Sequence, residues 1–527
     1  MGEQRGHLFV IDGDLTKVAV DAWYLPVDEW FSVTDFWAKT LEDLELFDSR
    51  MWSWRPGQKR WGEGELARHL VTDGDCDVWI GNVGRSGVDA RVDHYIDCAL
   101  QFAQRAAKYW RDRTERRDRF PIVGINHIGT GNGGVHHNHG GLLRELVNAL
   151  SKEMNEGRLL ADVVLVSHGE TAEAAAQRAR FVRTENWRDA PQWSFDHNQD
   201  HLHGTAEKLA RSIRSNKAAI FMGAGVSKGA GLPGWTDLLI EIGQCTTPPT
   251  TREDLAQLGD PRDMANLLKL RLSRDSKSLD ELLTSRLEGS KYSLQHGLLS
   301  SLPCNEFITT NVDELFEMAA STKERTLKVI PSNTESDRWL LKLHGTISKE
   351  STLVFTRESF MDLSRNSRAL FGLVQAMLFT RHMIFVGYGL GDEDFHEVVY
   401  DVRSAFPGRN LSRTIGTVLT LVEDPIKKDL WSDTLEIVAM RPLNTELRVA
   451  ARDLERFLDL VGMLSSDRSA FLLEEKYEEM LEDDERKLAG VLRPIVQEAR
   501  QHFDSESAWR DIRQTLRQLG ADLTSSD

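Results

Sequence analysis

Four predicted strand ends between residues 218 and 391 carry residue types that could do chemistry together. The apolar run Ala218–Met222 leads into a glycine turn at residues 223–227, where small residues and backbone N–H groups suit the close approach of a pyrophosphate. Asn311 follows a second apolar run, His344 a third and Gly387 a fourth. Because the carboxyl ends of parallel strands lie on one edge of a sheet, we expect these residues to converge on one crevice.

Asn311 and His344 are the candidates for the chemical step. An amide can align a sugar ring and a water molecule, and a histidine can accept a proton near neutral pH. Taken singly, each residue also has a structural interpretation, since asparagine is common in turns and a histidine at a strand end can be a hydrogen-bonded core residue. We favour the chemical interpretation because both residues fall at predicted strand ends beside the glycine turn.

The glycine turn differs from the ordinary dinucleotide-binding fingerprint. Its third glycine is Gly229, one position later than the pattern Gly-x-Gly-x-x-Gly requires. No strand ending in an acidic residue follows about twenty residues on, where only the helical Glu241 is found. On its own, the turn has an ordinary structural interpretation as the link between a strand and a helix, and the other strand ends are what favour a nucleotide.

In this combination the chain resembles the sirtuin family. Residues 223–227 (Gly-Ala-Gly-Val-Ser) match the family's opening motif, residues 309–313 (Thr-Thr-Asn-Val-Asp) its Thr-Gln-Asn-Ile-Asp motif, and His344-Gly345 its His-Gly pair, in the same order. The resemblance implies a Rossmann-like sheet, NAD⁺ as the substrate, and Asn311 and His344 as catalytic residues. The contacts with NAD⁺ that it implies are Gly223, Ala224, Gly225, Ser227, Trp235, Thr310, Asp313, Gly387, Tyr388 and Asp392.

Two departures from the family decide which activity we expect. Protein-deacylating sirtuins carry a zinc module with two Cys-x-x-Cys pairs after the His-Gly motif, whereas residues 346–383 contain no cysteine. Residues 231–236 read Gly-Leu-Pro-Gly-Trp-Thr and lack the Phe-Arg pair of those enzymes. With Gly-Tyr-Gly-Leu-Gly-Asp at 387–392, this variant is similar to the sirtuin-like domains of bacterial anti-phage proteins, members of which hydrolyse NAD⁺ during infection. The resemblance therefore implies a metal-independent NAD⁺ glycohydrolase that acts in abortive infection.

Two other functions stay open. A deacylase or ADP-ribosyltransferase would use the same crevice with a different nucleophile, and a sensor would bind NAD⁺ or an ADP-ribose derivative without cleaving it. The missing zinc module weighs against the first, and the presence of both Asn311 and His344 weighs against the second. Asp313 could hold a ribose hydroxyl or orient Asn311, and Asp392 could contact a ribose or cap a helix.

The order of elements predicts an α/β fold with more than one domain. Strand and helix patterns alternate over residues 205–445, which predicts a mostly parallel sheet covered on both faces. Residues 1–200 are predicted to form a second α/β region for sensing or partner docking, with a helix over 92–113. Residues 446–527 are predicted to be helical. Their apolar stripe, which includes Leu481 and Leu488, must pack on the sheet domain or on another protomer, so we expect a homo-oligomer.

The amino-terminal region has a candidate site of its own. Residues 129–134 (Gly-Thr-Gly-Asn-Gly-Gly) fit Gly-x-Gly-x-x-Gly between a predicted strand and a helix. The Gly-Asp-Leu-Thr at 13–16 loosely resembles the opening of macrodomains, which bind ADP-ribose. A scaffold loop or a protein-docking surface is the alternative. His136, His137 and His139 are interpreted as solvated loop histidines, since no carboxylate or cysteine stands at ligand spacing.

Composition limits the environment and the partners. The four cysteines form no Cys-x-x-Cys pair, and no stretch approaches the length of about 18 apolar residues that a spanning helix needs. We therefore expect a cytoplasmic protein without a membrane contact. The net charge of −17 disfavours direct nucleic-acid binding. The family resemblance adds a partner ATPase or a phage-derived trigger as expected partners.

Overall fold

The protein has 527 residues, and its structure is a computed structural model. The residues that it describes are 5–29, 31, 33, 35–43, 61–73, 76–84, 91–113, 119–129, 138–183, 186–322, 326–331, 336–366, 368–391, 393–405, 414–501 and 507–523. Within these ranges no helix is long and apolar enough to cross a membrane.

The chain divides into two compact units. The terminal unit comprises Met1–Ser194 together with Ser466–Asp527, and the central unit comprises Phe195–Ser465. This division differs from the predicted one at 446–527. The physical reason is that the predicted tail packs in two places: its first helix buries an apolar face in the central unit, whereas the remainder joins the core of the terminal unit.

The strands form one sheet in each unit. In the terminal unit β3 is antiparallel to β4, and the other neighbours are parallel, in the order β1-β6-β5-β2-β4-β3. In the central unit the order is β13-β12-β11-β7-β8-β10-β9, and every pair is parallel. The strands are β1 (Leu8–Asp12), β2 (Ala22–Val27), β3 (Ala67–Asp73), β4 (Cys76–Asn82), β5 (Ile122–Asn126), β6 (Asp162–Ser167), β7 (Ala218–Met222), β8 (Glu306–Thr309), β9 (Lys328–Ile330), β10 (Trp339–Lys342), β11 (His382–Val386), β12 (Gly416–Val422) and β13 (Leu435–Arg441).

Helices separate most of these strands. The helix predicted over 92–113 is confirmed as α2. The described α-helices are α1 (Asp35–Asp43), α2 (Val92–Arg113), α3 (His139–Asn155), α4 (Glu170–Arg183), α5 (Gln199–Arg214), α6 (Trp235–Gly243), α7 (Arg252–Ala256), α8 (Pro261–Arg274), α9 (Leu279–Leu287), α10 (Leu294–Ser301), α11 (Leu315–Ala320), α12 (Arg357–Asn366), α13 (Arg368–Thr380), α14 (Glu393–Ser404), α15 (Pro425–Trp431), α16 (Leu447–Ser465), α17 (Asp483–Gln501) and α18 (Ser507–Gln518).

The burial pattern explains why the central sheet is parallel. All five residues of β7 and all five of β11 are buried, as expected for strands that helices cover on both faces. Such strands need apolar side chains in nearly every position, and Ala218–Met222 supplies them. The predicted α/β class with mostly parallel sheets is therefore confirmed.

The carboxyl-terminal stripe packs mainly inside the terminal unit. Leu472, Tyr477 and Leu481 belong to the same buried cluster as the helices α2 and α3. Arg178 on α4 also forms ion pairs with Glu482 at 3.0 Å and with Glu485 at 3.2 Å. The sequence left the sheet domain of residues 205–445 and another protomer as packing partners. For these residues the partner is instead the terminal unit, whereas Leu488 on α17 stays half-exposed.

Leu481→Asp should destabilise the terminal unit, because Leu481 is only 4% exposed and the new carboxylate would lose its hydration. We expect the free energy of unfolding to fall by about 3 kcal/mol or more. Leu488→Asp is the matched control: Leu488 is 49% exposed, so we expect a change within about 0.5 kcal/mol. Urea unfolding followed by tryptophan fluorescence measures both variants, and equal losses would contradict the buried position of Leu481.

Candidate functional site

The four predicted strand ends lie side by side in the central unit. The strands β11, β7, β8 and β10 are consecutive in the sheet and parallel, so their carboxyl ends share one edge. Gly387, Gly223, Asn311 and His344 follow these strands within two residues. The convergence expected from the sequence is therefore found, and we call this edge the crevice.

Two glycine turns meet at the centre of the crevice. Gly223 N–H donates to the carbonyl oxygen of Val386 at 3.0 Å, and Gly225 N–H donates to that of Gly387 at 2.9 Å. Gly387 has a φ of 64°, and a Cβ added there would lie 2.6 Å from the backbone nitrogen of Val226. A side chain at Gly387 would therefore be strained and would push the two turns apart.

The glycines of these two turns allow close backbone packing. They allow one backbone to approach another, and the N–H groups of Gly223, Gly225 and Val226 all donate to carbonyl oxygens of the protein. The sequence-based expectation was that N–H groups of this turn face a pyrophosphate. For these three groups that expectation needs correction, because neighbouring backbone already occupies them. Ala224, between the two glycines, is exposed.

Asn311 is fixed by three hydrogen bonds. Its Nδ2 donates to the carbonyl oxygen of Gly223 at 3.1 Å and to Ser227 Oγ at 3.2 Å. Its backbone N–H donates to Thr309 Oγ1 at 2.9 Å. Since both side-chain bonds go to the amide nitrogen, the amide oxygen points away from these partners.

Asp313 is connected to Asn311 through a serine. Its Oδ2 accepts a hydrogen bond from Ser227 Oγ at 2.9 Å, and its Oδ1 accepts one from the backbone N–H of Leu315 at 3.2 Å. Of the two roles considered for Asp313, this arrangement favours orienting Asn311, with Ser227 in between. Both Ser227 and Asp313 are buried.

A buried lysine holds the loop that carries these residues. Lys342 Nζ, at the end of β10, donates to the carbonyl oxygen of Asp313 and to Glu317 Oε1, both at 2.6 Å. Burial raises the pKa of Glu317, against the attraction of the Lys342 ammonium group. Sequence reasoning missed Lys342, although a lysine inside the apolar run Leu-Leu-Lys-Leu was a visible signal.

His344 packs against the first of two stacked aromatic side chains, Phe360 and Trp235. Its ring meets that of Phe360 edge-on at 5.0 Å between centroids, and Phe360 is stacked with Trp235 at 5.6 Å. Arg262 places its guanidinium group 5.7 Å from the centroid of Phe360. His344 is 7% exposed. The predicted residues Trp235 and His344 are thus joined by Phe360, which sequence reasoning did not single out.

The remaining predicted contacts differ in how they are placed. Tyr388 packs its ring against Phe221 at 4.6 Å and against Phe395 at 5.4 Å, so it belongs to an aromatic cluster beneath the crevice. Thr310 is half-buried, and its backbone N–H donates to the carbonyl oxygen of Met222. Asp392 lies outside the described residues.

His296 is a third residue that the sequence analysis missed, after Lys342 and Phe360. It is the third residue of α10 and forms a capping box with Ser293, and its Nε2 lies 3.4 Å from Ser227 Oγ. Burial lowers the pKa of His296 to about 4, although the charge of Asp313 acts in the opposite direction. The spacing Ser-x-x-His before an apolar helix resembles the Ser-x-x-Gln capping pattern, which could have marked it.

The candidate site of the terminal unit is only partly described. Of the predicted loop 129–134, Gly129 is described and the rest lies outside the described residues, as do His136 and His137. His139 corrects the loop interpretation, because it is buried at the start of α3. Among the described residues no group of three or more His, Cys, Asp or Glu could hold a metal ion. The likeness to a macrodomain stays a prediction.

Comparison with known proteins bears on the central unit. Residues 305–443 match the family model described as SIR2-like domain. The central unit contains a SIR2-like domain. The match includes Asn311, His344 and Gly387, whereas the glycine turn at 223–227 precedes it.

The chain is also similar to three named proteins. The chain is 28% identical to NAD(+) hydrolase ThsA of Enterococcus faecium over 37% of its own length and 42% of that protein. It is 25% identical to NAD(+) hydrolase ThsA of Bacillus cereus over 38% of its length and 42% of that protein. It is 24% identical to Defense-associated sirtuin 2 of Bacillus subtilis over 37% of its length and 20% of that protein. The matched segment thus spans less than half of each relative.

Gly387→Ala should destabilise the central unit, because the added Cβ meets the backbone of Val226 and the φ is positive. We expect a loss of about 1 to 3 kcal/mol in the free energy of unfolding. Gly389→Ala is the matched control, since an added Cβ there meets no atom within 4 Å. Thermal unfolding compares the two; an unchanged midpoint for Gly387→Ala would contradict the close contact of the turns.

The stability of the central unit should fall in acid because of His296. Its pKa is about 4 when folded, below the ordinary value of 6.5, so the unfolded chain binds the proton more tightly. The stability from the neutral ring is therefore present above pH 6.5 and is lost as the pH falls toward 4, by up to about 3 kcal/mol. Urea unfolding at a series of pH values measures this loss. His296→Gln should flatten the curve, and an equally steep curve in that variant would refute the assignment.

Proposed function

We propose that the central unit is an NAD⁺ glycohydrolase that cleaves NAD⁺ to nicotinamide and ADP-ribose. The observation that carries the proposal is the convergence of the glycine turns, Asn311 and His344 on one edge of a parallel sheet in a SIR2-like domain. The names of the two ThsA relatives, NAD(+) hydrolase, support the same activity.

The reaction breaks an N-glycosidic bond whose leaving group is already cationic. Nicotinamide departs without a strong general acid, so the protein must mainly position the ribose and water and accept one proton. Asn311 fits the positioning role, because its amide nitrogen is held by Gly223 and Ser227 and its oxygen is directed elsewhere. Such fixed polar groups add to the rate when they match the transition state better than the substrate.

His344 is proposed as the base that accepts the proton from water. His344 lies two residues after the end of β10, which pairs with β8, the strand that precedes Asn311. The N–H of Leu343 donates to the carbonyl oxygen of Thr309 at 2.9 Å and so joins the two strand ends. General base catalysis of this kind typically contributes about 10²- to 10⁴-fold. The Phe360 ring holds the imidazole from one side.

Trp235 is proposed as a contact for the nucleotide. It stands at the start of α6, stacked on the Phe360 that also contacts His344. Its buried indole Nε1 has no hydrogen-bond partner within the described part of the chain. A buried N–H without a partner is costly, and a polar ligand atom in the crevice would satisfy it.

We further propose that the enzyme acts in anti-phage defence by depleting NAD⁺. The relative named Defense-associated sirtuin 2 supports this context. A homo-oligomer, a partner ATPase and a phage-derived trigger stay predictions. The exposed apolar residues of α17, which are Leu488, Val491 and Ile495, are the surface through which copies would associate.

The activity is tested by incubating the full chain with NAD⁺ alone, and again with an extract of phage-infected cells. We expect nicotinamide and ADP-ribose in equal amounts in at least one of the two samples. The absence of nicotinamide from both would overturn the proposal. ADP-ribose bound to protein would favour a transferase, and binding without cleavage would favour a sensor.

Asn311→Ala and His344→Ala should each lower kcat by about 100-fold or more, with a smaller change in KM. The reason is that both side chains are proposed to act mainly in the transition state. Asn305→Ala is the matched control, because Asn305 is exposed and precedes β8 at the opposite end of the strand from Asn311. Steady-state nicotinamide release measures all three. Full turnover in Asn311→Ala at saturating NAD⁺ would move Asn311 from catalysis to binding.

A further inference from the structure

Ser227 is the centre of a small hydrogen-bond network beneath the crevice. Its hydroxyl donates to Asp313 Oδ2 at 2.9 Å. It accepts from Asn311 Nδ2 at 3.2 Å and lies 3.4 Å from His296 Nε2. A hydroxyl has one proton and two lone pairs, so these partners use its whole capacity. Ser227 is therefore committed to the protein interior.

His296 is held in place from its other side. The backbone N–H of Ser293 donates to His296 Nδ1 at 3.2 Å, and Ser293 Oγ lies 2.9 Å from the same nitrogen. Ser293 Oγ is also 2.8 Å from the carbonyl oxygen of Val226, in the turn that carries Ser227. The capping box thus anchors the imidazole to α10 and to the glycine turn at the same time.

These contacts assign the proton on the His296 ring. A backbone N–H always carries its hydrogen, so we assign Nδ1 as the bare nitrogen that accepts from the Ser293 N–H. The Ser293 hydroxyl has one proton, for which the Val226 carbonyl oxygen and Nδ1 are the two acceptors within reach. In the neutral ring the remaining proton is then on Nε2, which faces Ser227. The ring is neutral at pH 7, because burial lowers its pKa to about 4.

The proton on Nε2 has a consequence for Ser227. A donor on that side directs a lone pair of Ser227 toward His296, and the hydroxyl proton is then directed to Asp313. The second lone pair is left for an N–H group, which the Asn311 amide supplies. With the amide reversed, its oxygen would face the carbonyl oxygen of Gly223 and a lone pair of Ser227, and the two contacts would be repulsive.

We propose that His296 is a positioning residue for the reaction of the central unit: through Ser227, and together with Gly223 and Asp313, it holds the Asn311 amide with its nitrogen inward and its oxygen toward the nucleotide. This proposal rests on the proposed NAD⁺ cleavage and names a residue that the sirtuin-like motifs did not include. His296 touches no reacting atom. It contributes by holding the Asn311 amide, which contacts the substrate, in one orientation.

The test compares two substitutions of His296 in the full chain. His296→Leu removes both the acceptor and the donor, and we expect kcat to fall by about 10-fold with KM changed by less than about 3-fold. His296→Gln keeps an acceptor for Ser293 and a donor for Ser227, and glutamine is a normal partner in a capping box. We expect it to restore kcat to within about 3-fold of the wild type. Equal kcat values for the two variants would overturn the proposal.

A double-mutant cycle with Ser227→Ala separates positioning from general stability. If His296 acts through Ser227, then His296→Leu should change kcat by less than about 2-fold when Ser227 is already alanine. A purely structural role predicts that the two losses multiply, and that result would contradict the proposal. Thermal unfolding of each variant shows which of them are folded.

An activity-independent measurement keeps this inference distinct from the proposed function. Imidazole nitrogen shifts in ¹⁵N-histidine-labelled chain, assigned by the signal lost in His296→Gln, report which ring nitrogen carries the proton. We expect the neutral Nε2–H form between about pH 6 and 8. An Nδ1–H form overturns the proposal whatever the activity. If the ring shows the Nε2–H form but the chain never releases nicotinamide, the proposed function is overturned. The catalytic part of this inference then fails with it.

Discussion

The parallel pairing of four neighbouring strands, β11, β7, β8 and β10, is the constraint on which the site depends. It brings residues separated by more than 100 positions in the sequence to one edge of one sheet. The pairing continues past the strand ends, where backbone N–H groups of Gly223, Thr310 and Leu343 donate to the neighbouring strand or loop. The glycine turns extend this by placing backbone against backbone. Asn311 occupies this edge with its backbone and its amide nitrogen held by hydrogen bonds.

The polar groups beneath the crevice satisfy one another. Ser227 is hydrogen-bonded to both Asp313 and the Asn311 amide, and Lys342 donates to Glu317 and to the carbonyl oxygen of Asp313. Buried polar groups with complete hydrogen bonding make a rigid support, whereas one missing partner would be costly. The interior network therefore orients the Asn311 amide, and the proposed reaction takes place at the groups that face the crevice.

The parts of the site that follow apolar strands could be predicted from the local sequence pattern. The apolar runs before Asn311, His344 and Gly387 marked strand ends, and parallel strands then require convergence. His296 and Lys342 could not be found in the same way, because their partners are distant in sequence and their role depends on tertiary contacts. The strand β3 pairs antiparallel with β4 at a sheet edge, and its sequence is largely polar (Ala-Arg-His-Leu-Val-Thr-Asp). It therefore has no apolar run from which a strand could be predicted. The packing partner of Leu481 could not be predicted either, since an apolar stripe shows that a helix face is buried but not what covers it.

The central claim is that water attacks NAD⁺ in the crevice of the SIR2-like domain. Mass spectrometry of the products formed in H₂¹⁸O tests it most directly, at times too short for the sugar to exchange oxygen with the solvent. The account predicts ADP-ribose that carries a single ¹⁸O atom, together with an equal amount of nicotinamide. ADP-ribose without the label, or ADP-ribose attached to a protein or acyl group, would show another nucleophile and contradict the claim.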